Sequence, residues 1–251
     1  MIFDSHLHVI DPRFPLTPNH GFIPDPYTCV DYRAQTSALG IVGGCVVSGS
    51  FQAYDQTYLQ AALQELGDSF VGVTQLPATA TDEEILALNE IGVRALRFNI
   101  RRGKPISIDE LPALAHRIYD LAGWHVEVYV DGADLPGLLR TFISMPRVVI
   151  DHLGLSADGH YSLYKLVERG VMTKASGFGR LDFDPAPVLR EIAAINPGAL
   201  MFGTDLPSTR AQRPFEIRDL QVMRESLEPQ VARRALYDNA VSLYRPRQSA
   251  A

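Results

Sequence analysis

His6 and His8 stand two residues apart in Asp4-Ser5-His6-Leu7-His8, at the end of a short apolar run. Strand side chains alternate between faces, so both imidazoles point to the same side. Near the other end of the chain, the apolar run Ala199-Leu-Met-Phe-Gly-Thr ends in a carboxylate, Asp205. If the first and last strands are neighbours in a closed barrel, the three groups meet at its mouth. Neutral imidazole and carboxylate are ligands for Zn²⁺. The same trio serves equally as an acid/base set without a metal.

The elements that would position these groups are legible as short apolar runs recurring roughly every 25–30 residues, with helical patterns between many of them. Strands are expected at Ile2–His8, Gly44–Ser50, Phe70–Gln75, Val93–Asn99, Val126–Asp131, Val148–His152, Val171–Ser176 and Leu200–Asp205. Helices are clearest at Tyr54–Leu66, Asp82–Ile91, Leu111–Ala122, Asp134–Ser144, Pro185–Asn196 and Pro214–Ser226. Asp82 reads as an N-cap or first-turn acid. This order predicts an α/β fold, a (β/α)8 TIM barrel, as one domain over 1–251. A doubly wound sheet would want a Gly-rich turn after the first strand, and none is there. The Pro-rich segment 10–36 is expected to form a lid or rim at the catalytic face.

Active sites of such barrels lie at the C-terminal strand ends. Polar residues crowd there: Ser48 and Ser50, Arg97 and Asn99, Glu127, Tyr129 and Asp131, Asp151 and His152, Lys174, Ser176 and Arg180. An Arg in a barrel mouth is costly unless paired, so Arg97 calls for an anionic partner. Arg101, Arg180 and Arg210 are loop candidates for the same pocket, whereas Arg102 and Arg213 read as solvated charges. His125 starts its strand and His116 falls within a helix, so both read as structural.

The chain has 251 residues, 46% hydrophobic and 21% charged, with net charge −6. That balance argues against a general binder of nucleic acid or anionic membrane. Two cysteines do not suggest a disulfide framework. Neither a signal peptide nor a membrane-length apolar run is visible, so a cytoplasmic location is expected.

The opening D-S-H-L-H-V-I-D-P, the D-H-L-G of strand six and the F-G-T-D-L-P of strand eight resemble the amidohydrolase superfamily. The likeness is closer to its branch of 2-pyrone-4,6-dicarboxylate hydrolase-like lactonases. It continues through F-P-L-T-P-N-H-G-F-I-P, F-Q-A-Y-D-Q, G-V-R-A-L-R-F-N and K-A-S-G-F-G-R to N-A-V-S-L-Y near the C-terminus. The resemblance implies attack of water on a lactone carbonyl with no metal required. Asp205 would be the general base, and His6, His8 and His152 would polarise the carbonyl. Arg97 and Arg180 would hold substrate carboxylates, assisted by Tyr129 and Ser50. Arg101 joins them by proximity only.

Metal-dependent members of the superfamily commonly carry a histidine at the end of strand five, where Tyr129 and Asp131 stand here. A binuclear centre is therefore not expected, while a single Zn²⁺ on His6, His8 and Asp205 stays open. The expected partner is a small anionic lactone, and self-association into a homo-oligomer is compatible with the fold. Two rivals are a Zn²⁺-dependent decarboxylase or hydrolase of another small acid, and a non-catalytic binder of an anionic metabolite.

Overall fold

Eight parallel strands lie side by side in chain order: β1 (Ile2–Leu7), β2 (Ile41–Val47), β3 (Phe70–Thr74), β4 (Val93–Asn99), β5 (His125–Tyr129), β6 (Val148–Ile150), β7 (Met172–Ala175) and β8 (Leu200–Phe202). The computed structural model describes residues 1–103 and 106–247. The seam between β1 and β8 is bridged just beyond the strand ends. Asp205 N–H donates to the His6 carbonyl at 2.7 Å and His8 N–H to that of Leu206 at 2.8 Å. The expected neighbourhood of first and last strands is thus present, and the fold is a (β/α)8 barrel.

Side-chain alternation decides what enters the barrel. On β4, Leu96 and Phe98 belong to the layer shared with the helices, while Ala95 joins the inner core. Arg97 and Asn99, in phase with Ala95, therefore turn inward. On β5 the same rule puts Val126 and Val128 outside, with Glu127 and Tyr129 inside. On β1 the phase changes: Phe3 is in the inner core, yet Leu7 and Val9 are in the outer layer. The β1–β2 register shifts between Asp4 and Leu7, and that irregularity lets the even-numbered His6 and His8 face in.

The helices are α1 (Cys29–Thr36), α2 (Thr57–Leu66), α3 (Asp82–Glu90), α4 (Leu111–Ala122), α5 (Leu135–Ile143), α6 (His160–Glu168), α7 (Pro185–Ile195), α8 (Ile217–Ser226), α9 (Pro229–Arg233) and α10 (Asn239–Tyr244). At α3 the cap is Thr81, which shares a reciprocal box with Glu84, and Asp82 is a first-turn acid. Four helices lie where none was expected, α1, α6 and the C-terminal α9 and α10. α1 occupies the end of the presumed loop 10–36, started by a Thr28–Asp31 capping box, and α6 buries Leu163, Leu166 and Val167. The rest of 10–36 is tied by isolated bridges, Ile10 to Tyr27 and Asn19 to Phe22. Tyr244 of α10 closes the barrel floor, stacked on Phe3 at 5.7 Å. Among the described residues no helix is long and apolar enough to cross a membrane.

Candidate active site

The strands stop short of their sequence patterns where the chemistry begins. β6 ends at Ile150 and β8 at Phe202, and the next residues turn sharply. His152 has φ +52° and Asp205 φ +62°, left-handed conformations that cost a residue with a Cβ and persist only when surroundings enforce them. Gly177, itself at φ +60°, makes the space. A Cβ there would lie 2.7 Å from His152 Nδ1 and 3.1 Å from Asp205 Oδ2.

Three imidazoles surround one carboxylate oxygen. The Nε2 atoms of His6, His8 and His152 lie 3.8, 3.7 and 3.9 Å from Asp205 Oδ1. All four side chains are buried, and His6 Nε2 and Asp205 Oδ1 have no hydrogen-bond partner. The other carboxylate oxygen, Oδ2, accepts from Arg180 Nε at 2.6 Å. Burial alone would raise the Asp205 pKa, but Arg180 and then His152 outweigh it and hold this carboxyl far below the usual range. Burial chiefly lowers the three histidines, His152 to about 4. The imidazoles are neutral and the carboxylate ionised at neutral pH.

Each imidazole is held from behind. His8 Nδ1 lies 2.7 Å from the Val47 carbonyl, and His152 Nδ1 lies 2.9 Å from Ser176 Oγ. His6 Nδ1 lies 3.2 Å from Lys174 Nζ and 3.3 Å from Asp151 Oδ1. Lys174 is ion-paired with Glu127 and lies 3.6 Å from Asp151. Glu127 in turn accepts from Tyr244 and contacts His125 at 3.1 Å. Asp151 also accepts from Arg97 at 3.3 Å. Burial pulls the Lys174 ammonium down, but Glu127 and Asp151 outweigh it and keep it charged. Asp4 ties the ends together, accepting from His6 N–H, Tyr32 and both the N–H and hydroxyl of Thr204.

Above this cluster opens a pocket of about 390 Å³, counting its solvent-open mouth. Its lining includes Ser50, Tyr129 and the guanidinium-bearing Arg97, Arg102, Arg180 and Arg210. Phe22 from the first long connection also lines it, 4.2 Å beneath the Arg210 guanidinium. Arg101 is not brought to this pocket. It turns to Asp131 and lines a separate cleft beside Ile108 and Leu138, because the loop after β4 sends successive side chains to opposite sides. Arg102, read from sequence as solvated, is the one that faces the pocket. Arg213 pairs with Asp219 and His116 meets the Ser144 carbonyl.

His6, His8 and Asp205 offer donor atoms within 4.8 Å of one another, as do His6, Asp151 and His152, so proximity alone would let either set hold an ion. The charges do not favour it. Glu127, Asp151 and Asp205 are already matched by Lys174, Arg97 and Arg180. A dication would enter a buried cluster in which the carboxylates beside the imidazoles, Asp151 and Asp205, are already ion-paired. For Asp205 to serve as ligand to an ion on His6 and His8 it would have to share its charge with Arg180.

The fold and the cluster at its strand ends define a barrel hydrolase. The amidohydrolase family profile matches residues 3–245, and the chain belongs to that family. A curated relative, the 2-pyrone-4,6-dicarboxylate hydrolase of Comamonas testosteroni, is 27% identical over 279 aligned residues, covering 98% of this chain and 90% of the relative. The apo structure of an Agrobacterium tumefaciens protein superposes with TM-score 0.87 at 26% identity, covering 99% of this chain and 97% of that one. A Pseudomonas putida structure provisionally described as a 2-pyrone-4,6-dicarboxylic acid hydrolase gives TM-score 0.83 at 26% identity, with 97% of each chain covered.

Proposed function

We propose that this chain hydrolyses a small lactone bearing carboxylates, of the 2-pyrone-4,6-dicarboxylate kind, within cytoplasmic catabolism of aromatic compounds. One observation carries the reading: four guanidinium groups ring a pocket above a buried, ionised carboxylate whose free oxygen lies among three neutral imidazoles. The C. testosteroni relative, by its name, acts on a lactone of this class.

The arginines bind and orient the acid, and Arg97 keeps an unpartnered buried Nε for it. Asp205 Oδ1 takes a proton from water as the water oxygen attacks the ring carbonyl carbon. The carbonyl oxygen becomes an oxyanion held by imidazole N–H groups. Collapse breaks the ring C–O bond, and the departing oxygen takes the proton back from Asp205. Arg180, shared between Asp205 and the incoming carboxylate, weakens its hold on Asp205 as substrate binds, which raises the basicity of Oδ1.

The roles of the three imidazoles differ. The Val47 carbonyl only accepts, so His8 carries its proton on Nδ1 and offers a lone pair at Nε2. His8 therefore orients the water, sharing it with Asp205 Oδ1 3.7 Å away, and the carbonyl falls to His6 and His152. The test is turnover of 2-pyrone-4,6-dicarboxylate by the parent protein and by Asp205→Asn, followed as loss of pyrone absorbance. The variant should lose on the order of 10³-fold or more in kcat while staying folded. Turnover within a few-fold of the parent rules out the base assignment.

A further inference from the structure

We propose that Lys174 is a positioning residue: it fixes His6 in the tautomer with the proton on Nε2 and so makes His6 a hydrogen-bond donor to the reacting carbonyl. The catalytic part of this rests on the hydrolase reading above; the tautomer does not.

Lys174 is fully buried on β7, inside the barrel and below the reaction centre. Its Nζ lies 3.2 Å from His6 Nδ1. An ammonium has three N–H groups and no lone pair, so it bonds to an imidazole nitrogen only where that nitrogen carries no proton. A neutral imidazole with a bare Nδ1 holds its proton on Nε2. That is the His6 atom buried without a partner and facing Asp205 Oδ1. An N–H group aimed at an empty position amid buried polar atoms is the geometry an oxyanion fills.

The rival tautomer has an acceptor waiting. Asp151 Oδ1 lies 3.3 Å from the same His6 Nδ1, makes no hydrogen bond and meets Lys174 Nζ only at 3.6 Å. With the proton there, Nδ1–H would confront the ammonium head-on. Lys174 cannot retreat, because Glu127 holds it, and Glu127 is fixed by Tyr244 and His125. The support runs from the barrel floor to the mouth. Two histidines two residues apart thus present opposite faces: His6 an N–H and His8 a lone pair, each chosen by its partner at Nδ1. Nε2 of His6 in this state has no lone pair with which to ligate a metal.

The test is two-bond ¹⁵N–¹H correlation of the protein labelled with ¹⁵N-histidine, with His6 assigned by loss of its signals in His6→Asn. The pattern reports which ring nitrogen is protonated, whether or not any lactone is turned over. The expected result is Nε2–H for His6 and Nδ1–H for His8. A His6 spectrum showing Nδ1–H overturns the proposal. The paired variant Lys174→Met/Glu127→Gln removes one charge of each sign. In it His6 should move to Nδ1–H against Asp151, and kcat should fall on the order of 10²-fold with KM little changed. Retention of Nε2–H in that variant overturns the role of Lys174. If the paired variant does not fold, the spectrum of the parent protein decides. Failure to hydrolyse lactones, with the expected tautomers present, would count against the hydrolase reading alone.

Discussion

Acidification takes stability from this chain through its buried imidazoles, and His152 has a share that can be worked out. The residue is 1% exposed, and burial chiefly lowers its pKa from 6.5 to about 4, against the pull of Asp205 and Asp151. The unfolded chain takes up the proton near 6.5, the folded chain only near 4. The stabilising contribution is therefore complete above 6.5 and is lost as pH falls through about 4. Each unit of displacement is worth about 1.36 kcal/mol, so the whole shift amounts to about 3.4 kcal/mol. Between about pH 7.5 and about pH 4.5 the loss from this residue alone is about 2.5 kcal/mol. His6, His8 and His125 are lowered too and add to the loss. The perturbation is His152→Asn, since Asn tolerates φ near +52° and does not titrate here. Urea unfolding of both proteins at the two pH values is the assay. The variant should lose about 2.5 kcal/mol less than the parent on acidification. Equal losses would refute the claim that His152 is held neutral by burial.

Three further outcomes follow from the cluster and its pocket. Gly177→Ala places a methyl group against His152 and Asp205 at a left-handed φ; it should cost about 1–3 kcal/mol in urea unfolding and lower kcat, since both groups must shift. Arg210→Gln should raise KM for a dicarboxylated lactone roughly 10–100-fold in steady-state kinetics, the worth of a charge-assisted hydrogen bond. Arg101→Gln, on the side chain turned to Asp131, should leave KM unchanged, and the reverse pattern would reassign the pocket.

Strand alternation and the end-to-end closure of a barrel made His6, His8 and Asp205 readable as one cluster, because both rules act locally or through chain order. The seam at Asp205 N–H and the His6 carbonyl is where that reading meets the structure. Loop direction was not readable. Arg101 and Arg102 are adjacent and identical in type, and only the turn after β4 sends the second to the pocket. Lys174, Glu127 and Asp151 were visible as strand-end polar residues, but their mutual pairing depends on inter-strand register, which a single sequence does not encode. The signal for α6 was present in the spacing of Leu163, Leu166 and Val167. α1 was masked by the prolines before it, although Thr28 and Asp31 had capping-box spacing.

The most direct measurement is the hydrolysis rate of 2-pyrone-4,6-dicarboxylate by protein freed of metal with a chelator, read as loss of pyrone absorbance. Turnover undiminished by chelation and unchanged by added Zn²⁺ is the predicted result, with water activated by Asp205 and the carbonyl held by imidazole N–H groups. Turnover that appears only on adding Zn²⁺ would contradict the account and make Asp205 a ligand instead of a base. No turnover under either condition would contradict the proposed substrate class.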